Sequence, residues 1–102
     1  LINLKSNQPA LGISEIEGVQ EFSLYPNPTS GQVNIYFKAQ RNEKMNLIVT
    51  NVAGQVVMEE TLDVKSGDFY KTFDLTRASK GVYFVKLSSG SKGTIIRKVV
   101  VQ

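Results

Sequence analysis

Nine carboxylates are the only side chains in this 102-residue sequence suited to general acid–base work near neutral pH, because histidine and cysteine are both absent. Without imidazole or thiol there is no Ser–His or Cys–His nucleophile pair and no imidazole or thiolate metal site. Glu59 and Glu60 are adjacent on a segment with strand character, so they point to opposite faces. Asp63 and Asp68 flank a Gly-containing loop and could hold calcium with loop carbonyls. Two carboxylates so spaced fall well short of an EF-hand ligand series, and Asp–Gly turn chemistry accounts for them more simply. Asn27-Pro28-Thr29 has the outline of a glycosylation acceptor, but proline in the middle disqualifies it. Tyr36 and Tyr70 fall out of phase with their strands' apolar rows, and exposed aromatics on a sandwich can stack on sugars. Tryptophan, the usual platform residue, is missing. The chemistry-bearing residues point away from an enzyme.

The charge is modest and unevenly placed. Twelve cations oppose nine acids, a net charge of +3. Residues 1–21 carry Lys5 against Glu15, Glu17 and Glu21, whereas from Thr76 onward six cations (Arg77, Lys80, Lys86, Lys92, Arg97, Lys98) meet no acid. That skew suits an acidic partner surface; it equally suits solvated strand positions where lysine discourages edge-to-edge pairing. No basic cluster is interleaved with stacking aromatics, so nucleic acid is not an expected partner. No apolar run approaches the roughly 18–20 residues that span a bilayer, so membrane insertion is not expected. Leu1–Gln20 lacks the basic start and apolar block of a signal peptide, and a chain beginning with Leu reads as a piece of something longer.

The elements that position these residues are strands. Residues 1–19 mix Asn, Ser, Gln, Pro and Gly without a sustained period and read as linker; Gly12 and Gly18 argue against a helix over Ile13–Val19. From Glu21 onward, short apolar alternations are separated by turn residues every 8–12 positions, the spacing of a sandwich or barrel. Seven strands are predicted, at 21–25, 33–39, 45–51, 55–62, 68–75, 82–88 and 94–101. Val33, Ile35 and Phe37 form one inward row, Met45, Leu47 and Val49 another, and Tyr83, Val85 and Leu87 a third, with Phe84 covering an edge or the other sheet face. Val56, Val57 and Met58 are contiguous, which leaves the phase of that strand open. Pro26 to Gly31 stops the first strand, and Gly54 supplies the left-handed residue of a hairpin. Leu75 through Gly81 is expected to form one short helical turn with Thr76 as its cap and Gly81 as its exit. With helix nearly absent, the strands must bury their faces against one another. The expected fold is all-β: a seven-stranded antiparallel β-sandwich, immunoglobulin-like.

Four stretches, in order, resemble one known family. Phe22-Ser23-Leu24-Tyr25-Pro26-Asn27-Pro28-Thr29-Ser30-Gly31 resembles the opening of type A C-terminal sorting domains of the type IX (Por) secretion system. Val49 to Val57 is similar to that family's strand, polar turn, Gly and second strand. Phe73-Asp74-Leu75 followed by Gly81 to Lys86 is similar to its last loop and penultimate strand, and Ile96-Arg97-Lys98-Val99-Val100-Val101 to its basic-then-apolar ending. Asn51 stands where an acid is common. The resemblance covers residues 21–102 and implies that residues 1–20 are linker from a preceding cargo domain.

The resemblance implies a signal at the C-terminus of a cargo protein in Bacteroidetes-type bacteria. The cargo crosses the periplasm, and the folded domain is recognised by the outer-membrane translocon and its shuttle proteins. A sortase-like cysteine protease then cuts in the linker and attaches the cargo to anionic lipopolysaccharide at the cell surface, or releases it. Recognition is expected from Tyr25, Pro26, Asn27, Pro28 and Gly31, from Gly54, Gly81 and Tyr83, and from Lys98, Val99 and Val100. The terminal strand could also add to a partner's sheet edge. No cofactor or metal is expected. A second class of function stays open: a fibronectin-like structural or carbohydrate-binding module of a surface protein.

Overall fold

The computed structural model describes residues 15–102. Residues 1–14, most of the expected linker and cleavage region, lie outside the described residues. Eight strands follow: β1 (Glu15–Ile16), β2 (Val19–Tyr25), β3 (Gln32–Ala39), β4 (Glu43–Asn51), β5 (Val56–Val64), β6 (Gly67–Asp74), β7 (Gly81–Ser88) and β8 (Gly93–Val101), with one 3-10 turn at Gly90–Lys92. They form two antiparallel sheets, one of five strands in the order β1-β8-β7-β4-β5 and one of three in the order β2-β3-β6.

All seven predicted strands are present, and the count is corrected to eight by β1. Its two residues pair with β8 through Glu15↔Thr94 and Ile16↔Gly93, and Ile16 is 2% exposed. A two-residue strand is too short to show a period, which is why composition alone reads it as linker. The three predicted inward rows all face the core between the sheets. Val33, Ile35, Phe37, Leu47, Val49 and Leu87 are inaccessible to solvent. Each such aliphatic or aromatic side chain contributes about 1.5–3 kcal/mol on leaving water.

Two irregularities re-aim side chains. In β2 the register shifts between Gln20 and Ser23, with Glu21 at φ 57. Beyond that bulge Phe22 packs on the core, its ring 6.1 Å from that of Phe37, with the Arg97 guanidinium 5.2 Å from its centroid. The second shift lies between Val49 and Thr50, opposite the start of β5. It settles the phase there: Val56 and Val57 are both exposed, and Met58 turns in against the core.

The helical turn expected from Leu75 to Gly81 is not formed. One hydrogen bond, Ala78 N to the Leu75 carbonyl at 2.9 Å, closes a single turn. Asp74, not Thr76, does the capping, its Oδ1 accepting from Thr76 N (2.8 Å) and Thr76 Oγ1 (2.7 Å). Asp competes with helix by bonding its own following backbone. On the side where both sheets end, β5 faces β6, and Lys71 Nζ lies 2.5 Å from Glu60 Oε2. Both side chains belong to the inward rows of edge strands, where a charge discourages a foreign strand from adding.

Candidate functional site

The polar turn between β2 and β3 is built onto the terminal strand. Asn27 Nδ2 donates to the Lys98 carbonyl (2.8 Å), and Asn27 Oδ1 accepts from Val100 N (3.0 Å). Thr29 N donates to the Val100 carbonyl (2.9 Å), and Gln102 N donates to the Thr29 carbonyl (2.8 Å), forming a parallel bridge between Thr29 and Val101. One edge of an asparagine amide presents an N–H donor and a carbonyl acceptor side by side in a plane, so it reproduces the pairing of a strand residue. Proline lacks the N–H a strand needs, so the segment joins β8 through Asn27 and Thr29 alone.

Thr29 lies within the expected turn, Pro26 to Gly31, without being singled out there by the sequence, and is 3% exposed. Its Oγ1 donates to the Gln32 carbonyl (2.6 Å) and accepts from Gly31 N (3.0 Å), the self-bonding habit of threonine in turns. That habit was the available signal. Gly31 in turn accepts from Leu75 N (2.7 Å) through its carbonyl, fastening the β6–β7 loop to the same turn. Asn34 Nδ2 donates to the Tyr25 carbonyl (3.2 Å) and holds the end of β2.

The register brings the other expected residues to the same end of the sandwich. Gly81 pairs with Val101, Val82 with Val100, Tyr83 with Val99 and Phe84 with Lys98. Asn51 pairs with Tyr83, so the β4–β5 hairpin carrying Gly54 turns at this end too. In the hairpin, Gly54 N donates to the Asn51 carbonyl (3.0 Å), and Asn51 Oδ1 accepts from Ala53 N (2.9 Å) and Gln55 N (3.0 Å). Asn51 therefore supplies the acceptor an acid would supply. Tyr25, Pro26, Asn27 and Pro28 are exposed, whereas Tyr83 and Val99 are buried and Val100 is half-buried. Lys98 is exposed on the outer face of the five-stranded sheet. Tyr83 and Val99 thus serve the site as core, with the Tyr83 hydroxyl donating to the Ser79 carbonyl.

Between the hairpin and the β6–β7 loop lies an open cleft of about 490 Å³ bordered by Asn51, Val57, Met58, Arg77 and Tyr83. At its rim the Asp74 carboxyl is held below the usual carboxylate range, chiefly by the Thr76 hydroxyl hydrogen bond, then by Thr76 N–H, with Arg77 adding to both. The outer edge of β8 is taken up at one end by β1 and at the other by Asn27–Thr29. The edge that strand exchange with a partner would use is therefore largely occupied.

The remaining candidates lie elsewhere. Tyr36 and Tyr70 are cross-strand neighbours on the outer face of the three-stranded sheet, ring centroids 4.9 Å apart, with Tyr70 68% exposed. The Tyr36 hydroxyl donates to Asp68 (2.8 Å), while Asp63 pairs with Lys65 (3.4 Å). Among the described residues no three acids gather as a metal-ligand set.

No curated protein matches the chain. Among solved structures, a β-glucosidase from Listeria innocua in complex with glucose is 17% identical with a TM-score of 0.48, covering 86% of this chain and 16% of its own. A Bifidobacterium adolescentis GH3 β-glucosidase is 16% identical with a TM-score of 0.46, covering 86% of this chain and 17% of its own. This chain therefore spans about one sixth of the length of those enzymes. A family model described as a secretion system C-terminal sorting domain matches residues 23–102, from the end of β2 through the Asn27–Thr29 clamp to Gln102. The chain belongs to the type IX secretion system C-terminal sorting domains, a family of export signals rather than enzymes.

Proposed function

We propose that the folded domain, an immunoglobulin-like sandwich, is read as a unit by the type IX outer-membrane translocon and its shuttle proteins after its cargo has reached the periplasm. A sortase-like cysteine protease then cuts in the linker, and the cargo is attached to the cell surface or released. One observation carries this reading: the proline-rich turn and the terminal strand, distant in sequence, are hydrogen-bonded into one exposed surface by Asn27 and Thr29. A preformed surface lets a partner bind without ordering the chain, which lowers the entropic cost of recognition.

The experiment is a fusion of signal peptide, fluorescent reporter and residues 1–102 in a bacterium with the type IX machinery. Parallel forms end at Val99 or stop at Val19. Surface or medium location of the full fusion with the domain removed, and periplasmic retention of the shortened forms, is expected. Identical location with and without the domain overturns the reading. A second reading, a sugar-binding module, draws on the exposed Tyr36–Tyr70 pair, and glycan-array binding tests it.

A further inference from the structure

The cation skew of the last quarter of the chain resolves in the fold into a defined patch. Of the six cations after Thr76, Lys92 pairs with Glu17 (3.7 Å), Arg97 lies over the Phe22 ring, and Arg77 sits beside Asp74. Lys80, Lys86 and Lys98 remain, and none of them enters an ion pair among the described residues; Lys80 lies in the β6–β7 loop, whereas Lys86 and Lys98 lie on β7 and β8. Val85, Leu87, Ile95 and Val99 point into the core, so Phe84, Lys86, Ile96 and Lys98 all point out from the five-stranded sheet.

The register makes these four a checkerboard. Lys86 stands directly opposite Ile96, and Phe84 directly opposite Lys98, so each cation has an apolar neighbour across the strand and another two residues along its own. Phe84 is 37% exposed and Ile96 49%. Ile48 and Thr50 of β4 continue the rows, and the next acid in them is Glu59, on the far edge strand β5. Asp68 and Asp74 lie on the three-stranded sheet at the opposite side of the sandwich. The outer face of β7 and β8 is thus cationic and apolar-bearing, with Glu15 and Glu59 on the flanking strands of the same sheet.

Resting on the sorting reading, we propose that this outer face of β7 and β8 docks a protein surface of the export machinery that presents carboxylates among apolar side chains. The carboxylates meet Lys86 and Lys98, and the apolar groups cover Phe84 and Ile96. Opposite charges at the rim accelerate encounter and fix orientation, while aromatic and aliphatic contact gives residence time. Solvated lysines alone would require no apolar companions. Phe84 and Ile96 beside them favour a protein surface over a purely anionic one.

The test uses the same reporter fusion. K86E/K98E reverses the face, K86R/K98R keeps its charge, and K38E/K65E makes an equal change of charge elsewhere. F84S removes the aromatic anchor. Circular dichroism and thermal melts confirm folding. With the wild-type fusion exported, K86E/K98E is expected to lower the exported fraction at least about tenfold and F84S several-fold. K86R/K98R and K38E/K65E are expected to stay near wild type. Normal export of K86E/K98E overturns this inference while leaving the sorting reading intact, and so does equal loss in K38E/K65E. Binding of the purified 102-residue chain to phosphatidylglycerol vesicles, lost in K86E/K98E, overturns it in favour of a membrane surface. A wild-type domain that directs no export overturns the sorting reading and this inference with it.

Discussion

The side-chain amide of Asn27 and the main chain of Val100, 73 positions apart, are joined by a 3.0 Å hydrogen bond, and the same amide holds the Lys98 carbonyl. Substituting Asn27→Ala removes both bonds from an exposed site, so the expected loss is about 1–2 kcal/mol in urea unfolding. Asn27→Asp keeps the acceptor for Val100 N but loses the donor to Lys98, and should fall between the two. Amide exchange of Val100 should speed up in Asn27→Ala and remain slow in Asn27→Asp. Unchanged Val100 protection in Asn27→Ala would show that Thr29 alone holds the turn to β8.

Gly31 and Gly54 both have positive φ, 145 and 86, yet they predict different costs. A Cβ at Gly31 would collide with the Thr76 side chain and crowd its backbone, whereas a Cβ at Gly54 meets open space. Gly54→Ala should therefore cost only the left-handed strain, about 1 kcal/mol. Gly31→Ala should cost several-fold more and loosen the Gly31–Leu75 contact. Adding Thr76→Ser to Gly31→Ala removes the colliding methyl and should recover part of the loss in thermal melts.

The sequence made the sandwich legible wherever alternation ran for five residues or more, because one buried face imposes a period of two. The inward rows of β3, β4 and β7 follow from that alone. Three features escaped for physical reasons. Strand β1 is too short to carry a period, and its evidence is the burial of Ile16, a tertiary fact. The bulge at Val49–Thr50 leaves Val56 and Val57 both outside, which no alternation predicts. The segment after Leu75 has helix-like composition, but Asp74 captures the Thr76 N–H and hydroxyl first. At the candidate site, the turn and the terminal strand were each visible as segments. Their joining through Asn27 and the buried Thr29 was not, because hydrogen bonds across 71 positions leave no local trace.

The Tyr36–Asp68 hydrogen bond predicts a pH effect with a definite sign. Donation to the Asp68 carboxylate, with lesser help from desolvation and negative charge nearby, pushes the Tyr36 phenol up to about 12 from an ordinary 10.0. A group whose folded-state value is raised contributes stability that is fully present below about pH 10 and lost as pH rises toward 12. Ultraviolet titration should show the Tyr36 phenol ionising late, toward pH 12. Asp68→Asn should bring that phenol back toward its ordinary 10.0, and Tyr36→Phe should delete the late step. A titration with no late phenol would mean that the bond does not persist in solution.

Ile16 ties the beginning of the described residues to the core. Its side chain is buried against the core, Glu17 N donates to the Lys92 carbonyl (3.0 Å), and Gln40 N donates to the Gly18 carbonyl (2.8 Å). Residues 15–18 are thereby fastened to β8 and to the β3–β4 turn at the end of the sandwich opposite Asn27. Ile16→Ala should cost about 2–4 kcal/mol if β1 folds with the sheet, since it leaves a cavity at a packed site. It should also open residues 15–20 to limited proteolysis, from which they should be protected in the wild type. Chains starting at residue 15 and at residue 21 separate the contribution of this segment: the second should melt several degrees lower than the first. Equal melting of the two would place β1 outside the cooperative unit.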